Sequence, residues 1–115
     1  MKVIIAGSRE FSDFALLYSE CDKILEGLYD IEIVSGTARG ADKLGEHYAK
    51  LKGYPVKQFP ADWSKGKSAG YIRNKEMSEY SDCLIAFWNG SSKGTGHMID
   101  LARSKNLKVH VIEIK

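Results

Sequence analysis

The chain has 115 residues, 43% of them hydrophobic, with 17 basic and 15 acidic side chains and a formal net charge of +2. That length fits one globular domain covering residues 1–115, with no stretch left over for a second. No apolar run approaches the roughly 18 residues that cross a bilayer, the ends read as strand rather than targeting signal, and the basic residues are scattered, so neither a membrane span nor a dedicated duplex-DNA surface is expected, and a cytoplasmic protein is.

In chain order, strand-like and helix-like patterns alternate. Lys2 to Ala6 opens with the apolar run Val3, Ile4, Ile5, Ala6. Behind Ser12 or Asp13 as N-cap, Phe14, Leu17, Cys21, Ile24, Leu25 and Leu28 recur at helical spacing. Ile31 to Ser35 reads as the second strand, and Ala41, Leu44, Tyr48 and Leu51 form a second helical stripe that Gly53 and Pro55 stop. Val56 to Phe59 is the third strand, followed by a polar loop through Lys67 and a helix over Ala69 to Tyr80. Cys83 to Trp88 is the fourth strand, Met98, Leu101 and Ala102 mark a helix ending near Asn106, and Lys108 to Ile114 closes the chain. Cys21 and Cys83 fall in apolar patterns without CxxC spacing or histidines at zinc-ligand spacing. Buried free thiols are expected, and no metal or cofactor is called for.

Alternation of this kind predicts an α/β, Rossmann-like three-layer sandwich around a five-stranded parallel sheet. Central parallel strands are apolar throughout, whereas edge strands carry polar positions. Val3 to Ala6 and Cys83 to Phe87 are continuous; Val56 to Phe59 and Val109 to Ile114 are interrupted. The predicted order is therefore 3-2-1-4-5, with a ligand crevice outside the C-terminal ends of strands one and four.

Three turns point at that crevice. Ser91, Ser92, Lys93, Gly94, Thr95, Gly96, His97 lies between the fourth strand and its helix, where backbone N–H groups and the helix dipole suit a phosphate. Gly7, Ser8, Arg9 follows the first strand, and Ser35, Gly36, Thr37, Ala38, Arg39, Gly40 the second. Arg9, Arg39 and Lys93, with Arg73 one turn into the third helix, make a set that either converges on an anion or pairs separately with surface carboxylates. Trp63 either stacks on a base or covers the core, and Asp62 either bonds a sugar or base edge or caps its turn. Trp88 stays open between base contact and packing, while Phe87 is read as packing. His97 either acts on a ligand or fills a structural role. His47 and His110 receive no function.

The chain resembles the SLOG superfamily, the Rossmann-like group that holds the Lonely Guy phosphoribohydrolases, the Smf/DprA proteins and the YpsA and YspA-like proteins. The likeness is nearest to the YspA/YpsA-like branch. It rests on Ala6, Gly7, Ser8, Arg9 with Phe11; on Ser35 to Asp42; on Phe59, Pro60, Ala61, Asp62, Trp63; on Ala69 to Asn74 with Met77; and on Asp82 to Phe87 with Gly94 and Thr95. The resemblance implies binding or sensing of a nucleotide or nucleotide-derived phosphorylated ligand, with Asp42 and Asn74 added to the site. It also implies an alternative, a hydrolase of N-glycosidic bonds in which Arg73 matches the Lonely Guy arginine. The position of that family's glutamate falls at His97 or Met98, and the nearest carboxylate on that helix is Asp100. Kinship to Smf/DprA suggests single-stranded nucleic-acid handling, against which small size and modest charge weigh. A homo-oligomer through Leu16, Leu17 and Tyr18 is an alternative to ordinary core packing of the same residues.

Overall fold

The computed structural model describes all of residues 1–115. Five strands, β1 (Lys2–Gly7), β2 (Glu32–Ser35), β3 (Val56–Gln58), β4 (Cys83–Trp88) and β5 (Lys108–Glu113), alternate with α1 (Phe14–Leu25), α2 (Ala41–Lys52), α3 (Ala69–Tyr80) and α4 (Lys93–Ser104). All strand pairings are parallel, and the order is β3-β2-β1-β4-β5, as the strand hydrophobicity predicts. β1 pairs with β4 from Val3 opposite Cys83 to Gly7 opposite Phe87, so both strands end at the same rim.

Successive side chains leave opposite faces of a strand, and this divides the core into two layers. Val3, Ile5, Ile33, Ile85 and Phe87 pack on the α1 and α2 side against Leu17, Cys21, Tyr48 and Ala49. Ile4, Ala6, Val34, Leu84 and Ala86 pack on the other side against Met77 of α3 and Met98, Ile99 and Ala102 of α4. Burying one such aliphatic side chain contributes about 1.5–3 kcal/mol, and β1 and β4 are buried on both faces. Their rim is therefore anchored in the core on both faces of the sheet. Gly45 brings α2 onto it closely: a Cβ there would lie 2.8 Å from Ile5 Cβ.

Two helix boundaries differ from the sequence pattern. α1 stops at Leu25 rather than Leu28, because Glu26 turns extended and Gly27 takes a φ of 79°, leaving Leu28 exposed. α4 starts at Lys93, ahead of Met98, so Gly94, Thr95 and Gly96 form its first turn instead of a loop before it. Asn89 causes this, since its Oδ1 accepts the N–H groups of Ser91 and Ser92, both at 2.9 Å, and closes the turn early. The segment Trp63–Ser68 is not a plain loop but a 3₁₀ segment kinked at Gly66, whose φ is 80°. Leu17 lies in the core, and Leu16 and Tyr18 pack against it. Cys21 and Cys83 are free and buried, and that burial pushes their thiols up to about 12 and about 11.

Candidate functional site

Where the chain reverses its winding between β1 and β4, the rim opens into a cavity of about 260 Å³. The β1 turn supplies Gly7, Ser8 and Arg9; Ala38 and Asp42 come from the β2 side; α3 adds Arg73, Asn74 and Met77; α4 adds Ser92, Gly94 and Thr95. The turn after β1 is bolted to its neighbours. Ser8 donates its N–H to the Phe87 carbonyl at 3.1 Å, and its own carbonyl accepts from Phe11 and Ala41 at 3.2 and 3.3 Å. Gly40 lies against the Ser8 and Arg9 carbonyls with a φ of 79°, a conformation and a closeness that only glycine tolerates.

Arg73 is held rather than free. Its Nη1 donates to the Gly36 carbonyl, and its Nε donates to Asn74 Oδ1 at 3.1 Å. Asn74, buried, gives its Nδ2 to the Gly94 carbonyl at 3.2 Å and stands 3.3 Å from His97 Nδ1, which joins α3 to the start of α4. Burial pulls the Arg73 guanidinium below its ordinary range, Arg9 beside it adds to this, and Asp42 opposes it. Two guanidinium groups thus face one cavity, an arrangement that an anion relieves.

The start of α4 completes the wall. Ser92 stands at the N-cap without accepting a backbone N–H on its side chain, and its Oγ instead shares a 3.2 Å hydrogen bond with Thr95 Oγ1. Free N–H groups, two hydroxyls and the positive end of the dipole meet beside Arg73. Across from them Asp42 is 6% exposed and accepts the Ala38 N–H on Oδ2 at 3.1 Å. Burial raises its carboxyl to about 6, against the lowering pull of the Ala38 N–H and of Arg73.

Of the residues singled out in the sequence, Gly7, Ser8, Arg9, Asp42, Arg73, Asn74, Gly94 and Thr95 line this cavity. Gly36 backs Arg73, and Ser35 sits behind it, donating to Glu46 Oε2 at 2.6 Å. Arg39 is not brought in: it is exposed and pairs with Glu10 at 2.8 Å. Asp62 accepts from the N–H and Oγ of Ser64 and so caps its own turn. Trp63 is 61% exposed beside an adjoining groove of about 300 Å³ shared with Arg9, Lys67, Gly70, Tyr71 and Arg73. Trp88 donates Nε1 to the Ser92 carbonyl at 3.0 Å and lies against Gly96, holding the start of α4. Phe87 stacks on Phe11 in the core, centroids 5.1 Å apart. His97 packs on Tyr71 with centroids 4.4 Å apart, and Asp100 is exposed; neither lines the cavity. Sequence reasoning passed over Tyr71 and Lys67, although both flank Arg73 and Trp63 within ten residues of chain.

Comparison with known proteins matches the fold and identifies the family. The structure of DNA processing protein A (DprA) from Streptococcus pneumoniae superposes with a TM-score of 0.73 over 99% of this chain at 19% identity, which shows a shared fold. The chain spans about half the length of that protein, 50%. Gene 61 protein of Mycobacterium phage D29 is 34% identical over 116 residues, covering 94% of this chain and 93% of that protein. The family model for YAcAr, the YspA, cpYpsA-related SLOG family, matches residues 1–66, which include the turns at Gly7 to Arg9 and Ser35 to Asp42. The chain therefore belongs to the YAcAr family of SLOG proteins.

Proposed function

We propose that this cavity binds the phosphoryl group of a nucleotide or nucleotide-derived ligand, and that the protein acts as a binding or sensing module in the cytoplasm. The observation that carries the reading is the convergence of Arg9, Arg73, the hydroxyls of Ser92 and Thr95 and the uncapped start of α4 on one 260 Å³ cavity. Phosphate sits between the two arginines and the α4 amides, and the base lies in the groove beside Trp63 and Tyr71. Calorimetry with a panel of nucleoside mono-, di- and triphosphates tests this beside Arg73→Ala. Heat of binding with the native chain and its loss in the variant support the reading; no heat from any nucleotide contradicts it.

One observation favours a second reading. Trp63 and Tyr71 are exposed aromatics next to Lys67 and Arg9, a surface on which unpaired bases can stack. Single-stranded nucleic-acid handling predicts oligonucleotide affinity that falls steeply with salt. For a glycosidic hydrolase the wall offers Asp42 and Glu10, whereas Asp100 stands outside it. Release of free base from a nucleotide, abolished in Arg73→Ala, is the signature of that activity.

A further inference from the structure

We propose that Asp42 reads a sugar hydroxyl next to the bound phosphate, which makes this a site for ribose phosphates rather than for bare phosphate or for sugars lacking those hydroxyls. The inference rests on the phosphoryl-site reading above and names its ligand class. A carboxylate on the wall of a phosphate pocket opposes the phosphate unless it faces a different part of the ligand. Ionised, it only accepts hydrogen bonds and repels phosphate.

The geometry separates the two roles. α2 covers one face of the sheet while α3 and α4 cover the other, so the carboxylate and the phosphate-binding helix start approach the cavity from opposite sides of the rim. Asp42 forms no ion pair with Arg73. Its Oδ2 is used by the Ala38 N–H, and its Oδ1 has no partner in the chain. That atom is not sealed off either, since Ser81 Oγ is the one buried side-chain polar atom without a hydrogen bond. A residue only 6% exposed thus keeps one acceptor unpartnered and accessible, and the residue lines the cavity. Glu10, the other carboxylate on the wall, is spent on Arg39.

Size agrees with chemistry. Pockets for drug-sized ligands run to about 300–1,000 Å³, and 260 Å³ takes a phosphate and a sugar, with the base passing to the groove at Trp63. Hydroxyl donors of the sugar then fall where the open acceptor is. Hydrogen bonds to a charged acceptor of this kind discriminate by about tenfold or more against an analogue lacking the donor.

Calorimetry decides it with ribonucleoside 5′-monophosphates of all four bases, their 2′,3′-dideoxy counterparts and inorganic phosphate. The native chain is expected to bind at least one ribonucleotide tenfold or more tighter than its dideoxy form. In Asp42→Ala that ratio is expected within about threefold, with inorganic phosphate binding as well as before or better. Asp42→Asn, of the same shape, provides a second variant and is expected to lose most of the ratio. Equal binding of ribo and dideoxy forms by the native chain overturns the proposal, as does a ratio that survives both substitutions. Equal weakening of every probe in Asp42→Ala reduces the residue to a clip on the Ala38 loop and overturns it too. If no probe binds, the phosphoryl site itself falls; if dideoxynucleotides bind as tightly as the ribonucleotides, only the hydroxyl assignment does.

Discussion

Gly36 and Arg73 are packed so closely that a Cβ on Gly36 would stand 2.6 Å from Arg73 Nη1, and it would also stand 2.8 Å from Asp42 Oδ2. The carbonyl of the same glycine accepts the guanidinium. Gly36→Ala therefore displaces two charged side chains of the cavity at once, Arg73 and Asp42, since its backbone can adopt the native conformation but its methyl takes the space their ends occupy. Overpacking of this kind costs about 1–3 kcal/mol. A fold that survives, by circular dichroism and thermal melting, with nucleotide affinity reduced tenfold or more is the expected result.

Arg73 and Arg39 separate binding from surface pairing. Arg73 is half-buried and aimed by Gly36 and Asn74, whereas Arg39 is exposed on Glu10. Hydrogen bonds to charged groups contribute about 1.5–3 kcal/mol and exposed ion pairs about 0–1 kcal/mol. Arg73→Ala should weaken phosphate binding by about 10–100-fold in calorimetry. Arg39→Ala should change it by less than about threefold.

The two tryptophans divide in the same way. Trp63→Ala should lower nucleotide affinity by about tenfold while leaving inorganic phosphate affinity and melting temperature unchanged, because an exposed ring contributes stacking and little packing. Trp88→Phe removes the donor to the Ser92 carbonyl and should cost about 1 kcal/mol in denaturant unfolding.

Asp42 gives stability a pH dependence of known sign. Its carboxyl is raised to about 6 by burial from an ordinary 3.8, so between those values the folded chain holds more protons than the unfolded one. The cost of ionising it is fully present above pH 6 and is relieved as pH falls towards 4. At ~1.4 kcal/mol per pH unit, the native chain should gain about 1 kcal/mol relative to Asp42→Asn between pH 7 and pH 5. Urea unfolding of both proteins at the two pH values measures it.

The sheet was legible because β1 and β4 are apolar at every central position and β3 and β5 are not. The start of α4 was less so: two glycines with poor helix propensity are carried into the helix by the buried Thr95 and by Asn89, whose side-chain contacts no periodicity reveals. Arg9 and Arg39 are indistinguishable in sequence, each an arginine in a turn. What parts them is a pairing of Arg39 with Glu10, 29 residues away in the chain. Asp42 reads as an acid in a helix's first turn, which is ordinarily exposed; its burial comes from the chain at Gly36 and Ala38 folding over it.

A phosphoryl group held between Arg9, Arg73 and the start of α4 leaves a mark on the amides around it. Titration of the isotope-labelled protein with a nucleoside monophosphate, followed by amide NMR, tests it most directly. The largest shifts are expected on Ser8, Arg9, Ala38, Gly94 and Thr95, together with the Arg73 side-chain Nε–H. Shifts concentrated instead in the groove at Asp22, Tyr48 and Lys52 beneath α1 and α2, or no shifts at saturating ligand, would contradict it.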